Sequence, residues 1–479
     1  MAGRFTQTVL WLAARGYGLF TIVLYGAIAI RQGTFFTKRT EKQSLELQIA
    51  RDRLWNLSKD FEGLAHHILT LPSRFKFHMV SNETPNSPAA LKSDKPLVIF
   101  IHGFPDSWAI WRHIISSASL QNAATVVAID LPGYGGSQAL ERYTATSVLE
   151  KLTELIITLR IQYGVDDDSQ SSKKKTIIVG HDWGCLLAMR LAAEAPALAD
   201  RFILTNGPLP SLVRSNIDRL IMSASKMFNT ALGSPLQART PILQALRTVS
   251  PLFRQLLLSG YVFAMQLPVS FVRYMLVGGN QSLMKGCHKQ AHGGDKFTPR
   301  DEADSMASTQ GPSRAESTTQ TSTGATYPDT IQYGHEFANV MNMAGYYRDD
   351  AVLARWEKSI ETVASLHGIA GGKELRRTSS GAGLLDEGAP GVLKANSTIL
   401  WGQKDTALDP NLCLNGIADY LVANSQVIML PNSAHFTPIE VESRGALAKI
   451  VEWAVRGEIE DIEATVQQAY PSAKVIARR

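Results

Sequence analysis

One short segment near the middle of the chain, Gly180-His181-Asp182-Trp183-Gly184, constrains the fold more than any other. The apolar run Thr176-Ile177-Ile178-Val179 before it predicts a buried strand, and the apolar run 185–193 after it predicts a helix. The two glycines allow a sharp backbone turn that presents Asp182 between them. A carboxylate is ionised at neutral pH, so this residue suits direct attack on a saturated carbon in a strained ring or bearing halide. An Asx turn or a helix N-cap is the alternative.

Two further motifs follow predicted strands upstream of this turn. The run 97–101 predicts a fully buried strand, and His102-Gly103-Phe104-Pro105 comes directly after it. The run 125–129 predicts another, which ends in a compact turn from Asp130 to Ser137 that contains three glycines and a proline. We expect Asp130 to stabilise that turn by hydrogen bonds rather than to do chemistry.

An acid and a histidine follow two predicted strands farther along the chain. The run 397–401 precedes Asp405, and the run 426–430, predicted to be the last strand, precedes His435. A histidine after the last strand, about thirty residues beyond an acid that follows its own strand, is typical of a catalytic base with its acid rather than of a surface residue. Asp409 is a competing acid, and Asp405 is preferred because it lies nearer to its strand.

These motifs together resemble those of the epoxide hydrolases of the α/β-hydrolase superfamily, and they look most like the membrane-anchored members. The resemblance covers about residues 75–280 and 330–455. It implies an α/β fold: a mostly parallel eight-stranded sheet flanked by helices, with an inserted helical lid. It also implies that an epoxide is hydrolysed to a vicinal diol through a covalent ester of Asp182, with Asp405 and His435 as acid and base.

The resemblance assigns four further residues to the site. The backbone amides of Phe104 and Trp183 correspond to the oxyanion hole. Tyr261 and Tyr347 correspond to two lid tyrosines that bind the epoxide oxygen, with Tyr346 as a close competitor for the second position. A phenol remains a proton donor at neutral pH, so it suits a developing alkoxide. Packing aromatics on lid helices are the alternative.

Two rival functions remain open on these residues: another α/β-hydrolase activity, that of a haloalkane dehalogenase or an esterase-like enzyme, and a binding protein without activity. Haloalkane dehalogenases share the aspartate and the tryptophan of the turn, but they use donors such as an asparagine after His-Gly, where this chain has Phe104. A protein that kept the fold as a binding module without activity is the non-enzymatic rival, because a fold does not imply an activity.

Composition limits the partners. The 479 residues carry a net charge of +5 without a basic, aromatic stripe, so we expect no nucleic-acid partner. The three cysteines are scattered and no phosphate loop occurs, so we expect no metal and no cofactor. The expected partners are a small lipophilic epoxide, water and a membrane.

The membrane expectation comes from residues 8–30, which are almost wholly apolar apart from Arg15. Only the stretch from Gly16 to Ile30 is unbroken by charge, whereas a full span needs about 20 apolar residues, so the segment is borderline for a transmembrane helix. An uncleaved anchor is favoured over a secretory peptide. Basic residues after the segment outnumber Arg4 before it, which favours a cytosolic catalytic domain on the endoplasmic reticulum. No acidic residue precedes Glu41, so a mitochondrial presequence is the alternative.

The expected organisation has five parts. They are an apolar anchor (1–40), a helical linker (41–74), the first part of the hydrolase core (75–210), a helical lid (211–395) with disordered inserts at about 287–327 and 366–391, and the second part of the core with a C-terminal tail (396–479).

Overall fold

A nine-stranded β-sheet forms the centre of the computed structural model, which describes residues 2–166, 174–233, 239–293, 297–335, 337–370 and 391–479. Its strands are β1 (Ala65–Thr70), β2 (Lys76–Ser81), β3 (Leu97–Ile101), β4 (Thr125–Ile129), β5 (Thr176–His181), β6 (Arg201–Thr205), β7 (Ser397–Gly402), β8 (Gln426–Leu430) and β9 (Lys474–Arg478). They lie in the order β1-β2-β4-β3-β5-β6-β7-β8-β9.

The six central strands, β3 to β8, are mutually parallel, which confirms the predicted mostly parallel sheet. β3 and β5 are buried along their whole length, as expected for strands covered by helices on both faces. The predicted count of eight strands is wrong, because β9 adds an antiparallel edge strand beside β8. Exposed and half-exposed side chains alternate along β9, and its apolar run, Val475 to Ala477, is only three residues long, too short to mark a strand.

The helices flank the sheet or build the segment between β6 and β7. They are α1 (Ala2–Arg31), α2 (Glu41–Trp55), α3 (Pro88–Lys92), α4 (Arg112–Ile115), α5 (Ala118–Ala123), α6 (Ala145–Gln162), α7 (Trp183–Glu194), α8 (Pro210–Gly233), α9 (Arg239–Leu258), α10 (Gly260–Met265), α11 (Val269–Ala291, interrupted at 278–281), α12 (Pro299–Gln310), α13 (Asp329–Gln332), α14 (Ala338–Met343), α15 (Gly345–Arg348), α16 (Ile360–Ile369), α17 (Pro410–Leu414), α18 (Val441–Val455) and α19 (Ile462–Gln467). Short 3₁₀ turns lie at Trp108–Trp111, Pro196–Leu198, Glu316–Thr318 and Ile417–Tyr420.

The segment 41–74 is not the helical linker that the sequence suggested. α2 occupies only its first half, and β1 follows and pairs antiparallel with β2. Two histidines stand at the start of β1, and the apolar pattern there is weak. The pairing is supported by a buried contact of 2.9 Å between His66 Nδ1 and His78 Nε2 of β2.

The lid insert around residues 287–327 was expected to be disordered, and this is wrong for its described part. A capping box between Thr298 and Asp301 begins α12, and the indole of Trp55 donates a hydrogen bond of 2.8 Å to Ala307 O. Serine and threonine, which suggested disorder, are used here as a helix cap and as buried hydrogen-bonding groups such as Ser308. Of the second insert, 366–391, residues 366–369 end α16, and 371–390 lie outside the described residues.

Among the described residues, α1 is the one helix that is long and apolar enough to cross a membrane. Within Thr8–Arg31, a stretch of 18 residues has a mean hydropathy of 1.5, and 22% of this stretch is buried. By length and composition this segment fits a membrane span, and a signal sequence passes the same test. Its buried residues face lid helices rather than the catalytic sheet.

Candidate active site

Asp182 lies in a strained turn at the carboxyl end of β5. Its backbone angles are φ 51° and ψ −116°, a combination that residues with a side chain rarely adopt. The turn connects β5 directly to α7, whose Leu186 amide donates a hydrogen bond of 2.9 Å to Asp182 O. The side chain therefore stands at the top of the sheet, as in the strand-turn-helix motif that the sequence predicted.

Glycine is required beside Asp182 because other backbone approaches the turn. A Cβ on Gly184 would lie 2.1 Å from Ile101 O of β3, and one on Gly180 would lie 2.6 Å from Gly184 O. These distances are far below van der Waals contact, so any larger residue would force β3, β5 and α7 apart.

The loop after β3 reaches the same carboxylate. The Phe104 amide donates a hydrogen bond of 2.7 Å to Asp182 Oδ1. A Cβ on Gly103 would lie 2.3 Å from that oxygen and 2.7 Å from the Trp183 amide nitrogen, so Gly103 packs against both Asp182 and the second expected oxyanion-hole residue. Donors in this position stabilise negative charge on the oxygen that they contact.

His435 lies between two carboxylates. Its Nε2 is 3.5 Å from Asp182 Oδ2, and its Nδ1 is 3.0 Å from Asp405 Oδ2. The structure thus brings together all three residues of the expected triad. The competing acid, Asp409, instead accepts the Asn411 and Leu412 amides and caps α17.

Two residues that the sequence analysis did not single out hold this histidine and its acid. The side-chain amide of Asn206 donates a hydrogen bond of 2.8 Å to Asp405 Oδ2. The Glu440 carboxylate accepts hydrogen bonds from the backbone amides of Ala434 and Phe436, on either side of His435. Asn206 directly follows β6, whose carboxyl end lies between those of β5 and β7. The position after a central strand is therefore a signal that identifies it from the sequence.

Burial and charge oppose each other at this histidine. Burial alone would lower the pKa of His435, but the Asp405 and Asp182 carboxylates raise it to about 10. Burial raises the pKa of Asp405, yet His435 and the hydrogen bonds from Asn206 and Ala407 lower it below its ordinary value. The imidazole is therefore cationic at neutral pH while Asp182 carries its charge.

Tyr261 of α10 and Tyr347 of α15 lie together over the loop after β3 that contains Phe104. Their ring centroids are 5.8 Å apart, and they are 6.5 Å and 5.5 Å from the ring of Phe104. Tyr346 points away and donates a hydrogen bond of 2.9 Å to Pro132 O. The structure thus places Tyr347, rather than its competitor, beside Tyr261.

The two tyrosine segments are tied to each other. Arg348 donates hydrogen bonds of 2.7 Å to the carbonyls of Met265 and Leu267, and Gln266 donates to Tyr347 O. Burial raises the pKa of both the Tyr261 and the Tyr347 phenol, so both hydroxyls are protonated at neutral pH. The pair can donate hydrogen bonds to an oxygen bound between the lid and Asp182.

Asp106 lies in the loop after β3, two residues beyond Phe104, and it is buried. Ser308 of α12 donates a hydrogen bond of 3.1 Å to its Oδ1, and burial raises the pKa of Asp106 to about 7. The Oγ atoms of Ser107 and Ser308 are 2.9 Å apart. The lid is therefore hydrogen-bonded to the loop that supplies the Phe104 amide.

Asp130 accepts backbone amide hydrogen bonds of 2.8 Å from Trp108 and from Gly136, and it lies away from the reacting groups.

Over the described ranges, no group of three or more His, Cys, Asp or Glu side chains is arranged to hold a metal ion. The arrangement can carry out nucleophilic attack by a carboxylate, followed by attack of water that a histidine activates.

The raised pKa of His435 predicts a pH-dependent stability. Such a group stabilises the fold fully below its unfolded pKa of about 6.5, and this contribution is lost as the pH rises through about 10. Between about pH 7 and pH 9.5 the free energy of unfolding of the wild type should fall, with a slope approaching about 1.4 kcal/mol per pH unit. Denaturant unfolding of the wild type and of His435→Gln measures it. Equal slopes for the two proteins would contradict the assignment.

Comparison with known proteins gives a consistent picture. A family model described as the alpha/beta hydrolase fold matches residues 96–441. Epoxide hydrolase 3 of Xenopus tropicalis is 30% identical over 36% of this chain and 41% of its own length. Epoxide hydrolase 1 of Caenorhabditis elegans is 35% identical over 26% of this chain and 28% of its own length.

The aligned part of the chain thus spans less than half the length of these curated relatives. The crystal structure of a Bacillus megaterium epoxide hydrolase in complex with an inhibitor is 20% identical and covers 81% of this chain and 99% of its own, with a TM-score of 0.46. Because the family model matches more than two thirds of the residues, including Asp182, Asp405 and His435, the chain belongs to the α/β-hydrolase family.

Proposed function

We propose that this protein hydrolyses a lipophilic epoxide to a vicinal diol. The observation that carries the proposal is a carboxylate, Asp182, beside a histidine, with two protonated phenols packed on the ring of Phe104, whose backbone amide donates to Asp182. The phenols match an epoxide, because ring opening produces an alkoxide that needs a proton. The relatives named epoxide hydrolase support the same assignment.

In the first step Asp182 attacks an epoxide carbon. Oδ1 accepts the Phe104 amide, so Oδ2 is the oxygen that forms the new C–O bond, while the ring C–O bond breaks. The alkoxide takes a proton from Tyr261 or Tyr347. The product is an ester in which Oδ1 is the carbonyl oxygen.

In the second step water attacks the ester carbonyl. Ester formation removes the charge of Asp182, one of the two carboxylates that raise the pKa of His435, so this pKa falls. The imidazolium then gives up its proton, which passes through water to the tyrosinate left by the first step, and the neutral imidazole can act as a base. Nε2 accepts the proton of water, and Asp405 stabilises the resulting cation. The Phe104 and Trp183 amides stabilise the oxyanion on Oδ1, which collapses to release the diol and restore the carboxylate.

The two-step scheme predicts a trapped intermediate. His435→Gln should still form the ester but hydrolyse it far more slowly, because only the second step needs the base. Intact-protein mass spectrometry after mixing with styrene oxide or a fatty-acid epoxide should show one adduct, located on Asp182 by peptide mapping.

Asp182→Asn is the matched control, since it is isosteric and should give neither adduct nor turnover. An adduct on that variant, or normal turnover by His435→Gln, would exclude the scheme.

The lid tyrosines should act in ring opening alone. Tyr261→Phe and Tyr347→Phe should each slow formation of the ester by about 10²–10³, since each removes one donor to a developing oxyanion. Rapid-quench measurement of adduct formation checks this, and Tyr346→Phe is the control because that hydroxyl is bonded to Pro132 O. Unchanged epoxide opening by the double variant, with chloride release from haloalkanes, would favour dehalogenation.

We also propose that the protein is a membrane protein, with α1 as its anchor in the endoplasmic reticulum and the catalytic domain in the cytosol. The outward face of α1 is apolar and exposed, as at Leu12, Phe20 and Leu24. α9 adds an exposed stripe at Leu246, Phe253 and Leu257, the spacing of an amphipathic helix that lies on a lipid surface. A lipid environment would supply a lipophilic substrate.

Two lysines on the outward face of α1 should release the protein from membranes. Phe20→Lys with Leu24→Lys places two charges in the apolar window, each costing about 3 kcal/mol at a span's centre. The control carries Ile161→Lys and Ile459→Lys, which are 62% and 89% exposed on the catalytic domain.

After an alkaline carbonate wash the wild type and the control should remain in the pellet, and the α1 variant should become soluble. A wild type that washes off freely would contradict the anchor. Recovery of the protein with mitochondria would place it there instead.

A further inference from the structure

α1 is packed against the lid and does not stand apart from it. Its buried residues, Gly18, Ile22, Gly26 and Ala29, recur every three or four positions and form one stripe. This stripe faces α10 and α11, and the opposite side of the helix is exposed. The helix that fits a membrane span therefore also forms an outer wall of the lid.

Backbone meets backbone where α1 crosses α10. A Cβ on Gly18 would lie 2.5 Å from Phe263 O and 2.8 Å from its carbonyl carbon. On the other side of the crossing, a Cβ on Gly260 would lie 2.9 Å from Thr21 Oγ1. Small residues that face each other in this way permit close helix packing, and any larger side chain forces the helices apart.

Polar contacts fix the crossing at both ends. The Tyr17 hydroxyl donates a hydrogen bond of 2.9 Å to Leu256 O, and its ring lies 5.2 Å from that of Phe263. Farther along, the Tyr25 hydroxyl is 3.1 Å from Ser282 Oγ and accepts the Leu283 amide at 3.0 Å. These contacts restrict α1 from sliding or rotating on the lid.

α10 is therefore held between α1 and the active site. It is only six residues long, and Tyr261 is its second residue, between Gly260 and Phe263, which both contact α1. We propose that α1 positions Tyr261 for ring opening, with Gly18 as the positioning residue. This inference rests on the proposed function of Tyr261 as a donor to the epoxide oxygen.

The test compares two variants of α1, Gly18→Ala and Gly16→Ala, each of which adds one methyl group. Gly18→Ala must move α10 by about 1 Å to restore ordinary contact with Phe263 O, whereas a Cβ on Gly16 meets nothing within 4 Å. Both changes add the same apolar group and helix propensity to the same helix, so they are matched in membrane insertion. Both full-length proteins are purified in the same detergent and compared by single-turnover kinetics with styrene oxide.

We expect Gly18→Ala to slow formation of the Asp182 ester by about 10- to 100-fold, because a misplacement of this size removes donor alignment. Hydrolysis of the ester, which uses His435 and not the lid phenol, should keep its wild-type rate. In a Tyr261→Phe background the same change should have little further effect, since the aligned hydroxyl is already absent. Gly16→Ala should resemble the wild type throughout.

Each contrary result has a distinct meaning. Wild-type ester formation by Gly18→Ala would overturn the positioning role, and so would an equal loss on top of Tyr261→Phe. Slowing of both chemical steps together would indicate a general loss of folding and would also overturn it. Absence of ester formation by the wild type with every epoxide tried would instead contradict the proposed function.

Discussion

The close approach of the β5–α7 turn to β3 is the constraint on which the rest of the site depends. Because residue 184 has no Cβ, the turn lies directly against Ile101 O, and the loop that follows β3 then passes beside Asp182. That passage puts the Phe104 amide 2.7 Å from Oδ1. The proposed nucleophile and the proposed oxyanion-hole donor are thus positioned by one packing contact between neighbouring strands.

Charge then gives His435 a different role in each step of the proposed reaction. With two carboxylates beside it the imidazole holds a proton, and its cation stabilises the nucleophile in the resting enzyme. Esterification removes one of the two charges and lowers the proton affinity at the moment when a base is needed. The buried position strengthens both effects, because little solvent screens the pairs.

Sequence alone was sufficient for the parts of the fold that rest on local pattern. Buried parallel strands appear as continuous apolar runs, and the residue after each such strand lies at the shared edge, which is how Asp405 and His435 were identified. The order around residues 297–327 depends on partners distant in sequence, such as Trp55 bonding Ala307, and no local composition reveals them. β1 and β9 also lacked a signal, because edge strands with polar faces depend on pairing with a neighbour. Likewise, the sequence does not show which of the adjacent residues Tyr346 and Tyr347 points its side chain toward Tyr261, because this depends on how the folded segment packs.

The same limit applies to α1, whose two faces meet different surroundings. Its apolar composition suggested a membrane anchor, and nothing in the sequence links Gly18 to Phe263. In the folded chain the inner face is matched to the lid backbone at distances that only glycine permits, while the outer face keeps the apolar side chains that suit lipid. Under the proposed anchoring, a change in the depth or tilt of α1 in a bilayer would move α10 as well. Membrane attachment and the alignment of the proposed ring-opening phenol would then be coupled through one crossing of two helices.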